Sequence, residues 1–338
     1  MISNDKAAFR NNERRKSLDY AKGIGILLLI LSHCISDLNN LKIWIFSFHM
    51  PIFFVVCGMI QQEKLSLGRR KSKSEFIKNR AFQLGVPYFV FGFVLILFFQ
   101  LLNILGGKPL TVFSMLFSLF SFQGIESMWF LPVYFFGELI FVYWFYDLND
   151  KNKIMSFIIS IAFVVCASFY GFPSFWLFRS LFRILIGFVF ICFGYFIGKY
   201  RIIQNVSIKS GILGIIIFSF LSIFNGFVGI GSLELQNVFL FFINGMALSF
   251  LIIWVCLQLE KNCFNLNVLN EFGKNTIVIV CTNNLFIEII RLLDYKLTGN
   301  FLLNTGMFGN LVFAFLLGYL EYQTIHFFEN HFKFLFGR

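Results

Sequence analysis

His33 and His49 are titratable side chains set inside two long apolar runs, "SLDYAKGIGILLLILSHCISD" (17–37) and "FSFHMPIFFVVCG" (46–58). They are equidistant in sequence from Leu41, where the chain turns between the runs. An antiparallel hairpin therefore puts the two rings at similar depth. Imidazole, with an unperturbed pKa of about 6.5, can take and return a proton near neutral pH. Ionisable groups are costly in hydrocarbon and mark functional sites there. The plain alternative is a packed ring bonded to a neighbouring carbonyl. For His49 it is a ring that supports the kink imposed by Pro51, which cannot donate to the carbonyl of Ser47.

Other polar residues fall in or beside apolar runs. Lys22 shares a helix face with His33 and lies roughly 16 Å from it along the axis. Asp19 can pair with Lys22 at i,i+3, and Lys22 can equally serve as a snorkelling anchor. Gly23 and Gly25 allow another helix or a ligand to approach closely. Arg80 opens "KNRAFQLGVPYFVF" (78–91), Glu138 sits within "MWFLPVYFFGELIF" (128–141), and Asn283 and Asn284 lie in "NTIVIVCTNNLFIEII" (275–290). Hydrocarbon offers Glu138 and the Asn pair no partner, so each needs one from the protein. Arg179 and Arg183 begin another run. His326 and His331 belong to a basic, aromatic C-terminal stretch and read as interfacial.

The elements that carry these residues are membrane spans. Of 338 residues, 58% are hydrophobic and 13% charged, against about 25% charged in soluble domains. Apolar runs of about 18 residues or more read as transmembrane helices. Ten are expected: 20–37, 43–62, 83–104, 128–146, 154–171, 181–198, 208–229, 234–258, 273–292 and 302–323. The segment from Leu105 to Ser127 is apolar enough to lie along the membrane surface. The expected fold is an all-α integral membrane protein with both termini cytoplasmic. A basic segment (1–19) precedes a single polytopic domain (20–323), and a tail (324–338) follows.

Charge supports this threading. Only Lys42, Lys108, Arg179, Arg183, Arg291 and Lys296 fall outside, and the rest of the 28 Lys and Arg fall inside. The net charge of +11 then reflects basic stretches such as "RRKSKSEFIKNR" (69–80) facing anionic headgroups. Membrane lipids, not nucleic acid, are the expected partners. The seven Cys lie singly and read as small hydrophobes rather than a metal site or disulfide frame.

The sequence resembles the integral-membrane acyltransferase family 3, in its branch of fucose and capsular-polysaccharide O-acetyltransferases. The matching pieces are "LDYAKGIGILLLILSHC", "FSFHMPIFFVVCG", "KNRAFQLGVPYFVF", "MWFLPVYFFGELIF", "FGYFIGKY" and "FGKNTIVIVCTNNL", in the family's order over nearly the whole chain. The resemblance implies a cell-membrane enzyme moving an acyl group, acetyl above all, from cytosolic acyl-CoA to a hydroxyl of a cell-surface or lipid-linked glycan. Carried over by position, His33 matches the catalytic histidine, and His49 and Glu138 join it as candidate catalytic residues. Lys22, Arg80 and Asp19 are candidate acyl-CoA contacts. Trp129, Asn283, Asn284, Arg179 and Arg183 are candidate contacts to the acceptor. No metal is implied, and a homodimer is compatible with the family. Many relatives carry a histidine near Asn283, where this chain has Asn. From the residues alone, two rivals stand beside the enzyme: a glycan-lipid flippase, since intramembrane ionisables also line transport pathways, and a non-catalytic component of polysaccharide assembly.

Overall fold

The computed structural model describes residues 15–336 apart from 36, 70, 301, 302, 304 and 305. Most of the basic N-terminal segment therefore lies outside the described residues. Ten helices among the described residues are long and apolar enough to cross a membrane. The protein is an all-α multi-pass membrane protein, and its only described sheet is a two-stranded hairpin.

The first span is α1 (Lys16–Cys34). The second is broken into α2 (Asn40–Phe48) and α3 (Pro51–Ser66). The break falls at His49 and Met50 because Pro51, lacking an N–H, starts a helix well and continues one poorly. The third runs from α4 (Lys73–Arg80) through a π-turn (Ala81–Gly85) into α5 (Val86–Leu105). It begins earlier than the apolar run itself, because the basic stretch continues the helix out of the hydrophobic zone. A short helix, α6 (Val112–Phe120), follows in the apolar connection and leaves Phe113, Phe117 and Phe120 exposed.

The remaining spans are α7 (Phe130–Tyr143), α8 (Asp150–Tyr170), α9 (Trp176–Tyr200), α10 (Ile208–Ser222), α11 (Val238–Lys261), α13 (Thr276–Thr298) and α14 (Gly306–His331), with the short α12 (Asn267–Lys274) before α13. A 3-10 turn (Glu126–Trp129) leads into α7. Between α10 and α11, β1 (Val228–Gly229) pairs antiparallel with β2 (Glu234–Leu235). This hairpin occupies sequence expected to extend spans seven and eight. Gly226, at φ +65°, ends the preceding helix there. The last helix runs to His331, so His326 and His331 are helical rather than part of a separate tail.

Polar caps start the spans. Asn39, Ser72, Asn149, Ser207 and Asn237 each accept a hydrogen bond from a backbone N–H in the first turn. Such a cap contributes about 1 kcal/mol. An even number of spans brings the start of α1 and the end of α14 to the same side of the bundle, here called the terminal face. Gln61 and Tyr195 belong to that half. His33, His49, Arg183 and the hairpin belong to the other.

The centre of the bundle is the crossing of α3 and α9. A Cβ added at Gly58 would lie 1.9 Å from the Ile191 carbonyl oxygen, and one at Gly194 would lie 2.0 Å from that of Val55. The helices meet backbone to backbone. In lipid, where burial of apolar surface gives helices little reason to associate, such small-residue contacts are what hold them. Likewise α1 meets α12 where a Cβ at Gly23 would strike the Leu269 carbonyl and one at Gly273 the Asp19 carbonyl. The expected close approach at Gly23 is therefore to another helix.

Gly58→Ala is expected to destabilise the protein by about 1–3 kcal/mol through overpacking. Gly318→Ala, in α14, where an added Cβ meets nothing within 4 Å, is expected to gain about 0.5–1 kcal/mol. Thermal unfolding of both variants in detergent checks the pair.

Candidate active site

A cavity of about 600 Å³ opens in the half of the bundle away from the termini, within the size range of small-molecule sites. His33 and His49 both line it, as do Ser127, Trp129, Arg183 and Asn284. Five stretches distant in sequence bring these residues together, α13 supplying Asn284. The last turns of α1 supply His33. The break between α2 and α3 supplies His49. The loop and 3-10 turn before α7 supply Ser127 and Trp129, and the start of α9 supplies Arg183.

The two rings differ in their bonds. His49 is buried, and its Nδ1 lies 2.9 Å from the Ile45 carbonyl oxygen. A carbonyl only accepts, so Nδ1 carries the proton and Nε2 is left as an acceptor. His33 is half-buried at the cavity wall. Its Nδ1 meets the Asn283 side-chain amide at 2.7 Å across 250 residues of sequence. An amide can face a ring either way. With Nδ2 toward the ring, Asn283 donates to Nδ1 and the proton sits on Nε2. With Oδ1 toward the ring, Asn283 accepts from Nδ1–H and Nε2 becomes a free acceptor. Nδ2 faces the ring and Oδ1 is buried without a partner; turning the amide satisfies Oδ1 and moves Nδ2 to that unpartnered position.

The cavity's other walls are built from interlocked polar groups. Asn284 Nδ2 donates to Ser127 Oγ at 3.1 Å, and Ser127 Oγ donates to the Val280 carbonyl at 2.9 Å. The loop before Trp129 carries left-handed backbone at Phe122, Gly124 and Glu126. A Cβ on Gly124 would lie 2.3 Å from the Trp129 backbone nitrogen, so glycine is required for this loop to fold back on Trp129. The β-hairpin lines one wall of the cavity. Its Ser232 carbonyl accepts from Arg179 Nη2, so Arg179 ties the hairpin to α9.

Lys22, Asp19, Arg80 and Glu138 do not line this cavity. Lys22 and Asp19 make the expected i,i+3 pair at 2.8 Å. Glu138 is fully buried in α7, and its Oε1 accepts from Arg80 Nη2 at 2.8 Å and from Gln61 Nε2 at 2.5 Å. Gln61 is held in turn by Tyr146, whose hydroxyl donates to its carbonyl at 2.6 Å. Arg179 does not line the cavity, and the structure divides the other expected residues in two. His33, His49, Trp129, Asn284 and Arg183 meet at the cavity, with Asn283 behind His33. Lys22, Asp19, Arg80 and Glu138 form pairs nearer the terminal face.

Several wall residues were not expected at the site from the sequence: Lys42, Gln123, Glu126, Ser127, Glu288 and Arg291. On α13 a signal was present. Val280, Asn284, Ile287, Glu288 and Arg291 follow the 3–4 spacing of one helix face, and Glu288 bonds Arg291 at 2.9 Å. The buried Glu321 of α14 was also missed. It contacts Thr282 Oγ1 at 2.6 Å, next to Asn283. A lone Glu within an apolar run was its sequence signal. Among the described residues no cluster of His, Cys, Asp or Glu could hold a metal ion.

A family model described as an acyltransferase domain matches residues 15–320. The chain belongs to acyltransferase family 3. No curated protein matches it, and no solved structure does. The family match covers every element that builds the cavity and both ion pairs toward the terminal face. It makes this chain a membrane acyltransferase.

Glu138→Leu alone leaves the Arg80 guanidinium without its carboxylate and is expected to cost about 3–5 kcal/mol. Arg80→Met with Glu138→Leu together should recover most of that loss. A double-mutant cycle by unfolding in detergent measures the difference.

Proposed function

We propose that the protein is an O-acyltransferase that moves an acyl group, acetyl above all, from acyl-CoA to a hydroxyl of a cell-surface or lipid-linked glycan. The contact between Asn283 and His33 at the wall of a cavity lined by both polar and apolar groups carries this reading. Alcohol attack on a thioester needs a group that removes the hydroxyl proton as the new C–O bond forms. His33 is that base. Asn283 is a positioning residue: its Oδ1 accepts from Nδ1–H, which leaves Nε2 free for the acceptor hydroxyl. As the tetrahedral intermediate collapses, the C–S bond breaks, and His33 returns its proton to the leaving thiolate. A base of this kind contributes about 10²- to 10⁴-fold.

The acceptor fits the cavity's make-up. Sugars present apolar faces and many hydroxyls, and Trp129 with Ser127 and Asn284 offers both an aromatic surface and hydrogen-bonding groups. The donor side is the terminal face, where basic residues collect, and we place it in the cytoplasm of a cell membrane by that charge bias. Lys22 and Arg80 lie on that side but are held by Asp19 and Glu138, so the exposed Lys71 and Lys78 of the basic stretch are the side chains that meet the phosphates of acyl-CoA. The thioester then has to reach the α1 end of the cavity at Leu29, Ser32 and His33, roughly 16 Å from Lys22 by helix rise.

His49 offers a second reading of the base. Its Nδ1 bond to a carbonyl already fixes Nε2 as an acceptor, whereas His33 requires one orientation of Asn283. The two readings separate by mutation. With His33 as base, His33→Ala lowers acyl transfer from labelled acetyl-CoA by about 10²- to 10⁴-fold, while His49→Gln keeps the acidic limb of the pH–rate profile. Asn283→Leu lowers kcat by about 10- to 100-fold, the loss seen when an imidazole loses an orienting partner at metal sites, with KM for the acceptor unchanged. Asn283→Gln recovers part of it. Full transfer by His33→Ala, or loss of the acidic limb in His49→Gln alone, reassigns the base to His49.

A further inference from the structure

Arg183 of α9 lines the cavity and is only 8% exposed. Its Nη1 reaches the Gln123 carbonyl at 3.3 Å, and its Nε is buried without a hydrogen-bond partner. Among the described residues no carboxylate pairs with it. The charged side chain that acts on it is Arg179, another cation. The cavity's carboxylates are directed to another cation, Arg291. Glu288 is bound to Arg291 at 2.9 Å, and Glu126, on the same cavity wall, has Glu288 and Arg291 rather than Arg183 as its charged neighbours. A buried cation facing a cavity with no counter-ion costs several kcal/mol until an anion arrives. Guanidinium, with its planar fork of donors, matches carboxylate and phosphate best.

We propose that the acceptor is acidic, and that Arg183 binds an oxyanion, a carboxylate or phosphate, carried by the sugar to be acylated. This deepens the transferase reading and rests on it for the acceptor's role; the binding itself does not require transfer. The anion holds one end of the acceptor at α9 while a hydroxyl reaches His33 across the cavity. A neutral glycan leaves the guanidinium unpaired and is disfavoured for that reason, since a desolvated partnerless charge discriminates strongly.

The test is calorimetric titration of the full chain in nanodiscs with three probes: cellobiuronic acid, cellobiose and inorganic phosphate. The uronic acid is expected to bind about 30-fold or more tightly than cellobiose, the loss typical of an unpaired buried charge. Arg183→Gln should bring that ratio to about one and leave cellobiose unchanged, which also reports that the variant is folded. Arg183→Lys, which keeps charge and loses the fork, should fall between. Arg183-dependent phosphate binding with no preference for the uronic acid assigns the oxyanion as phosphate and keeps the proposal. Equal binding of uronic acid and cellobiose with no phosphate binding overturns it, as does a preference that survives Arg183→Gln or loss of every probe in that variant at an unchanged melting temperature. The transferase reading fails separately: wild type then forms no acylated product while the binding ratio stands.

Discussion

The backbone contact between α3 and α9 is the constraint on which the rest depends. Lipid tails are as apolar as leucine, so two spans gain little by hiding apolar side chains from lipid. Gly58 and Gly194 let the helices touch through their peptide groups, and the crossing is then fixed by van der Waals packing. His49 lies two residues before the first of these helices and Arg183 in the early turns of the second. The crossing thereby sets the distance between two walls of the cavity. A similar contact, Gly23 and Gly273 with the backbones of α12 and α1, holds α1 beside the chain that enters α13. That second contact brings His33 within reach of Asn283. Neither site residue needs a rigid loop, because each stands on a helix whose neighbour cannot slide.

The polar groups follow a division of labour that the membrane enforces. Toward the terminal face, ion pairs neutralise one another: Arg80 with Glu138 and Lys22 with Asp19. Around the cavity the contacts are mostly between neutral groups, such as Asn283 with His33 and Asn284 with Ser127. Neutral contacts cost less to open than a paired charge, and a binding site must open to exchange water for ligand. Arg183 departs from that pattern, and the departure makes it informative.

Much of the fold was legible because its signals are local. Apolar length gave ten spans, and the missing N–H of Pro51 gave the break in the second. Glu138 announced its need for a partner, although the sequence did not say which. The site was legible only in part. His33 and His49 could be paired from their equal distance to the turn. Their link to Asn283 could not be derived that way, since helix packing across 250 residues of chain leaves no periodic trace. The hairpin was hidden for a different reason. Its residues are apolar enough to extend the neighbouring spans, and only Gly226, with its left-handed backbone, ends the helix early. The stripe from Asn284 to Arg291 was readable and was passed over, because charges near the end of a span resemble ordinary headgroup anchors.

The spans do not share the work evenly. Asp150–Tyr170 and Ile208–Asn225 bury only 22% and 17% of their apolar windows within the protein, against 78% for Asn40–Ser66. A side chain that meets only acyl chains is interchangeable with any other of similar polarity, so selection there acts on length and greasiness rather than identity. Substitutions should accumulate fastest in those outer helices, and the historical record of this lineage should be written mainly in the inner ones. Two descendants of one ancestor could then look unrelated over half their length while keeping the same chemistry at the centre.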